Sequence, residues 1–246
     1  MRALRPFCLL AALVGLWQAA FSLGGVNPMF LPSPLEVAAK ARQLAGEGRF
    51  GADVAATLGR ALIGFALAFG LGAPAGLVLG ACDRLFAWFE LPVDYFRSIP
   101  PVVAFPLALL LFGIGEASRV AVVAFGCLPI LIVAVAVGVR SGSRLRRDVA
   151  VCLGAGGLRL FWSVIVPGAL PSVFIGARVA LSMALIIAVV TEMLVGARHG
   201  LGGRVTSAQI AYDTPELYCC IIVVGLAGLA INKLCAALQA RVIHWE

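Results

Sequence analysis

Charge is scarce in this sequence. Asp, Glu, Lys and Arg make up 13% of its 246 residues, about half the roughly 25% carried by an average soluble domain. The only lysines, Lys40 and Lys233, follow no G-x-x-x-x-G motif, so the chain lacks the loop in which backbone N–H groups and one Lys hold nucleotide phosphates. Histidine is confined to His199 and His244, and none of the seven cysteines (Cys8, Cys82, Cys127, Cys152, Cys219, Cys220, Cys235) forms a C-x-x-C pair. No metal is therefore expected, and the cysteines read as small buried hydrophobes. No serine sits in a G-x-S-x-G turn with a histidine near it, which argues against a membrane protease. A basic stripe interleaved with aromatics is also missing, so the net charge of +7 does not point to nucleic acid.

Apolar residues fill the space. They account for 62% of the chain, with a mean hydropathy of +1.04, and they fall into runs long enough to cross a bilayer, which takes ~20 residues. The pattern predicts one all-α, polytopic membrane domain over residues 1–246. Its six transmembrane helices are expected near 6–24, 57–82, 98–112, 118–138, 169–194 and 217–237. Arg2 and Arg5 before the first span place both termini on the cytoplasmic side, with His244 and Trp245 at the inner interface. Ala20-Phe21-Ser22 offers a small-x-small cleavage site, but the run reads as an uncleaved first span.

Between the first two spans, Asn27-Pro28-Met29-Phe30-Leu31-Pro32-Ser33-Pro34 is a stiff connector. Leu35 to Gly48 then reads as an amphipathic interfacial helix with Leu35, Val37 and Leu44 on its apolar face. The second span carries Gly59, Gly64, Gly70, Gly72, Gly76 and Gly80, which lets neighbouring helices approach closely. Leu85 to Phe112 is too long for one crossing, so its charged first half is read as interfacial. Gly196 to Pro215 reads as an outer loop.

The segment from Arg140 to Pro167 differs in character. Arg140, Arg144, Arg146 and Arg147 open it, Asp148-Val149-Ala150 follow, Gly154 stands six residues after Asp148, and Val164-Ile165-Val166-Pro167 closes it. This order resembles the coupling loop of ABC importer permeases, Glu-Ala-Ala, three residues, Gly, nine residues, Ile-x-Leu-Pro. Asp148 stands for Glu, Val149 for the first Ala, and Val164 and Val166 for Ile and Leu. Leu31-Pro32-Ser33-Pro34, the run from Thr57 to Phe65, Arg97-Ser98-Ile99-Pro100-Pro101, the run from Phe112 to Glu116, Gly176-Ala177-Arg178, Glu192-Met193 and Gly200-Leu201-Gly202 extend the match. Together they look like the nitrate, sulfonate and taurine branch of that family.

The resemblance implies the type I importer permease fold in the cell inner (plasma) membrane, with the chain acting as a homodimer among the lipids. It also implies two copies of an ABC ATPase and a periplasmic or lipid-anchored binding protein. ATP and Mg²⁺ would sit on the ATPase, leaving this subunit without cofactor or catalytic residue. The cargo would be a small anion or organic solute, sulfonate or taurine ahead of nitrate, with a thiamine-pyrimidine precursor or an aromatic acid as the alternatives. Asp148, Val149, Ala150, Gly154, Val164 and Pro167 would couple to the ATPase. Asp148 is expected near a helix start, where the helix dipole favours it. Gly154 would supply a conformation or a close approach, and Pro167 would open the fifth span. Along that span Arg178, Ser182 and Glu192 share one stripe, and with Pro100 and Pro101 they are candidates for a translocation path. Arg178 is read either as lining an anion path or as paired with a neighbouring helix. The rival class is an ion- or proton-driven carrier, which needs intramembrane ionisable groups as relays.

Overall fold

Long apolar segments can satisfy their backbone in a bilayer only as helices or closed barrels, and every regular element among the described residues is helical. The computed structural model describes residues 5–24, 27, 29–142 and 144–243, and the side chains of 5–10 and 144 lie outside that description. The expectations placed on Arg2, Pro28, His244 and Trp245, and on the side chains of Arg5, Cys8 and Arg144, therefore fall outside the described residues. The helices are α1 (Arg5–Ser22), α2 (Pro34–Gly46), α3 (Gly48–Ala81), α4 (Asp83–Ser98), α5 (Phe105–Phe112), α6 (Glu116–Arg140), α7 (Arg144–Cys152), α8 (Gly157–Leu160), α9 (Val166–Leu194), α10 (Leu201–Ile210) and α11 (Thr214–Val242).

Among the described residues four helical runs are long and apolar enough to cross a membrane: Gly48–Ala81, Glu116–Arg140, Gly157–Leu194 and Thr214–Val242. A fifth arises if α4 and the run Pro101–Phe112 count as one span, although these meet at 86°. The described apolar stretch of α1, Ala11–Ser22, is shorter. Among the described residues length and composition thus give four or five crossings, where the sequence pattern predicted six. The difference lies in two segments: the one expected at 6–24, whose described apolar part is too short to count, and the one expected to cross at 98–112. Pro100 and Pro101 have no N–H to donate and disfavour a helical residue before them. The helix accordingly stops at Ser98, resumes as a 3₁₀ turn over Pro101–Ala104, and ends at Gly113, whose φ is +75°.

Other boundaries moved for local reasons. Ser33 caps α2 through a reciprocal capping box, its Oγ accepting from the Glu36 N–H while its own N–H donates to Glu36 Oε2 at 2.9 Å. Val37 and Leu44 are buried on α2 but Leu35 is 78% exposed, because it lies two residues, about 200°, away from Val37 on the helix surface. The region read as an outer loop contains α10.

The chain divides into two compact units, residues 1–56 with 192–226 and residues 57–191 with 227–246. In the first, Val37, Leu44 and Cys219 form a core with Trp17, Phe50 and Tyr218 packed against it. Trp17 stacks on Tyr218 and donates its indole N–H to the Pro32 carbonyl at 3.0 Å. In the second unit α6 is central. Gly64, Gly72, Gly76 and Gly80 of α3 meet Val123, Leu131, Val135 and Val139 of α6 in matching register, while Gly126, Ala134 and Gly138 of α6 face Ile187, Gly176 and Ser172 of α9. Backbones approach this closely only where a Cβ is missing, and such contact is the main source of helix–helix attraction in lipid.

Candidate functional site

The loop motif folds into α7. Asp148 is its fifth residue rather than lying near its start, so the expected dipole benefit, confined to the first turn, does not apply. The helix begins earlier because the Arg-rich run is itself a good helix former. Gly154 closes α7 through a Schellman motif: the Gly154 N–H donates to Val151 O and the Ala155 N–H to Ala150 O, both at 2.9 Å, with Gly154 φ at +83°. No atom lies within 4 Å of a Cβ built there, so the glycine serves conformation and not close approach. Pro167 is the second residue of α9, but the helical run does not begin there. This proline lies inside the continuous helical run Gly157–Leu194, and the turn before it, Phe161–Ile165, is widened into a π-helix, as expected where a proline removes one N–H and crowds the carbonyl four residues back.

Around α7 the surface is apolar and open. Leu145, Val149, Val151, Leu153, Leu158 and Trp162 are all exposed, Leu153 to 82%, as are Asp148 and Gly154, while Ala150 and Val164 are half-buried. Arg147 donates to the Val139 carbonyl and so ties α7 to the end of α6. A cavity of about 350 Å³ lies between Arg146 and the Ser163, Val164, Pro167 and Gly168 wall.

The stripe expected on α9 separates in the fold. Glu192 is fully buried and its carboxylate accepts the Gly202 N–H at 2.9 Å, capping α10 in the first unit. Arg178 and Ser182 belong to the second unit, where Arg178 is exposed. Among the described residues no hydrogen bond or ion pair reaches the Arg178 guanidinium within the subunit. Asn232 of α11, which the sequence reading passed over, donates to Ser182 Oγ at 3.2 Å. A lone Asn in an apolar run was the available signal. Pro101 packs against Gly126, while Pro100 is exposed at the bend.

The first unit holds a second polar cluster that sequence reasoning missed. Asp53, 1% exposed, accepts from the Gly200 N–H at 3.0 Å and from Arg204 Nε at 2.5 Å, with His199 Nδ1 at 3.4 Å. Arg204 also donates to Glu216 at 2.9 Å, and Lys40 bridges Asp213 at 2.5 Å and Glu216 at 3.2 Å. Asp53, Gly200, Arg204 and Glu216 of this cluster line a cavity of about 390 Å³ with Arg49 and Arg198 on its wall. One signal was legible: Asp213-Thr214-Pro215-Glu216 reads as a helix cap, and Asp213 Oδ1 does accept the Glu216 N–H.

The Asp213 hydrogen bond raises the Lys40 pKa. Burial works to raise that of Asp213, but the Lys40 and backbone hydrogen bonds outweigh it and the net shift is downward. A depressed carboxylate contributes stability above its unfolded value and loses it as pH falls through the folded one. A raised Lys contributes below its unfolded value and loses it as pH rises through the folded one. The bridge should therefore hold between about pH 4 and about pH 10. Asp213→Asn is expected to cost up to about 1 kcal/mol at pH 7, a difference that vanishes below the Asp213 pKa. Folded fraction after mild heating, measured from pH 7 down to pH 3, checks it.

A helical membrane domain with no nucleotide loop, a broken span and an open apolar loop helix has the make-up of a transporter's permease component. The chain belongs to the family described as the binding-protein-dependent transport system inner membrane component, whose profile matches residues 55–244. The taurine transport system permease protein TauC of Escherichia coli is 30% identical over 242 residues, covering 96% of this chain and 88% of that one. A putative aliphatic sulfonates transport permease protein, SsuC of E. coli, is 32% identical over 245 residues, covering 98% and 91%. The inward-facing methionine ABC transporter MetNI aligns with a TM-score of 0.70 at 20% identity, over 78% of this chain and 94% of that one. The fold is that of the type I ABC importer permeases.

Proposed function

We propose that this chain forms the translocation path of an ATP-driven importer for a small anion, with sulfonates or taurine ahead of nitrate. Two copies would pair above two ATPase subunits, which carry ATP and Mg²⁺, and beneath a periplasmic or lipid-anchored binding protein. Both termini and α7 would face the cytoplasm. The relatives named for taurine and aliphatic sulfonates support the cargo class. Arg178, Ser182, Pro100 and Pro101 are proposed to line the path; Glu192 is assigned instead to positioning α10.

The observation that carries the coupling role is the uncovered apolar surface of α7 and the turn after it. Burying one such side chain is worth about 1.5–3 kcal/mol, so Leu145, Val149 and Leu153 suit a hydrophobic groove on a soluble partner. Arg147 links α7 to α6, and α8 continues through the π-turn into α9. A partner that displaces α7 thus displaces both helices as rigid rods, the type of motion that exchanges one access side for the other.

Leu153→Glu and Gly154→Trp are expected to insert at normal yield, since Leu153 is exposed and the strain of Trp at the Gly154 φ of +83° falls on the loop outside the spans. Solute uptake and uptake-linked ATP hydrolysis by the assembled complex should drop at least about tenfold, the equivalent of one lost apolar anchor. Gly154→Asn, which tolerates a positive φ, should retain most of both. Normal transport by the Trp and Glu variants would refute the coupling role.

A further inference from the structure

An ionisable side chain in a membrane span is costly and marks a site unless something in the protein answers it. Arg178 lies twelve residues past Val166, ~18 Å along α9, and among the described residues none bonds to its guanidinium. Carboxylates are almost all spoken for: Glu36 caps α2, Glu47, Asp53 and Glu216 hold Arg204, Asp213 holds Lys40, Asp83 holds Arg140, Asp94 holds Arg97, Glu116 holds Arg60, and Glu192 caps α10. Among the described residues only Glu90 and Asp148 remain, and Asp148 is on the loop helix.

The opposite wall is α11. Leu185 meets Gly228 and Ser182 meets Asn232. Positions on the two helices run in opposite directions, an antiparallel register that puts Arg178 and Ser182 across from Asn232 and Cys235. The hydrogen bonds here leave a specific remainder. Asn232 Nδ2 donates to Ser182 Oγ at 3.2 Å and to the Gly228 carbonyl at 3.1 Å, and the Ser182 hydroxyl donates to the Arg178 carbonyl at 3.1 Å. A carbonyl can only accept, so the Gly228 contact identifies the amide nitrogen. Both Asn232 N–H groups are thereby used, and among the described residues no donor reaches its Oδ1. Among the described residues, facing helices thus carry a guanidinium fork with no acceptor, at Arg178, and an amide oxygen with no donor, at Asn232.

We propose that Arg178 and Asn232 form an intramembrane subsite for a small zwitterion that carries an oxyanion at one end and an amine at the other, an aminosulfonate being the nearest match. The planar guanidinium takes two sulfonate oxygens, and Asn232 Oδ1 accepts from the ammonium. Ser182 holds the Asn232 amide in place. An alkanesulfonate or nitrate can satisfy only Arg178, so the subsite favours the amino compound. This assignment rests on the importer reading above.

Cys235 supplies the probe. Alkylation by N-ethylmaleimide, followed at the Cys235 peptide by mass spectrometry, is measured in the intact reconstituted complex with taurine, ethanesulfonate or nitrate present. Taurine should slow the reaction about tenfold, ethanesulfonate and nitrate about threefold or less. Arg178→Gln should abolish protection by all three and Arg178→Lys restore part of it. Asn232→Leu should remove the advantage of taurine over ethanesulfonate. Equal protection by taurine and ethanesulfonate in the unaltered complex overturns the subsite. So does absent protection in a complex that still hydrolyses ATP in response to solute, which leaves the importer reading intact. A permease that binds no ATPase overturns both. Loss of protection in Glu90→Gln equal to that in Arg178→Gln would make a carboxylate of a second copy the Arg178 partner and also overturn the subsite.

Discussion

Asp53→Ala is expected to destabilise the protein by about 3–5 kcal/mol, the usual cost of removing one partner from a buried charge pair. Asp53 is almost fully enclosed, and its two oxygens serve the Gly200 N–H and Arg204 Nε. Gly200 stands at φ +144° just before α10, a conformation only glycine adopts readily, and its N–H is aimed at that carboxylate. With Asp53 gone, Arg204 keeps Glu216 and Glu47 but loses its shortest contact. Asp53→Asn preserves an acceptor for Gly200 and should cost less. Asp94→Ala, which breaks a pair with both side chains about half exposed, should change stability by less than about 1 kcal/mol. The ordering Ala at 53, then Asn at 53, then Ala at 94 can be read from the temperature at which detergent-solubilised protein stops eluting as a monodisperse peak. A cost at Asp53 no larger than at Asp94 would show that this cluster is solvated in practice.

Gly76→Leu is expected to separate α3 from α6 and lower the yield of folded protein severalfold. A Cβ at Gly76 would lie 2.7 Å from the Ile132 carbonyl oxygen and 2.7 Å from Val135 Cβ. The first of these is backbone, which cannot swing aside as a side chain can. Overpacking a tight core costs about 1–3 kcal/mol, and here the helices must part to relieve it, so a loss of about 3 kcal/mol or more is expected. Gly70→Ala is the control on the same helix. A Cβ there meets nothing within 4 Å, and replacing Gly by Ala in a helix gains about 0.5–1 kcal/mol. Equal yields for the two variants would mean that α3 and α6 are not held together by this row.

The two results probe different kinds of information. The glycine row was visible in the sequence as a list of small residues on one predicted span, but the list included Gly59 and Gly70, which touch nothing. Only the neighbouring helix separates contact glycines from bystanders. Apart from the Asp213 cap, the Asp53 cluster was invisible for a different reason. Its members, from Lys40 to Glu216, are far apart in sequence, and each taken alone is an ordinary polar residue near the end of an apolar run. The loop motif lay at the other extreme. Asp148, Ala150 and Gly154 are close enough for local hydrogen bonds to dictate their geometry, so the Gly154 turn could be anticipated, although the helix start could not.

What the amino-acid sequence determined by itself is whatever depends on composition and local spacing: a helical membrane chain, the places where helices stop at proline or glycine, and the order of residues that marks the permease family. A bilayer leaves long apolar segments no alternative to helix, so these features need no tertiary information. The tertiary structure decided the rest. It set α4 at 86° to the run Pro101–Phe112, buried Glu192 against the Gly202 N–H while leaving Arg178 exposed, and brought Asn232 to Ser182. Which polar side chain finds a partner depends on the register between helices remote in sequence, and that register is set by the packing of their surfaces.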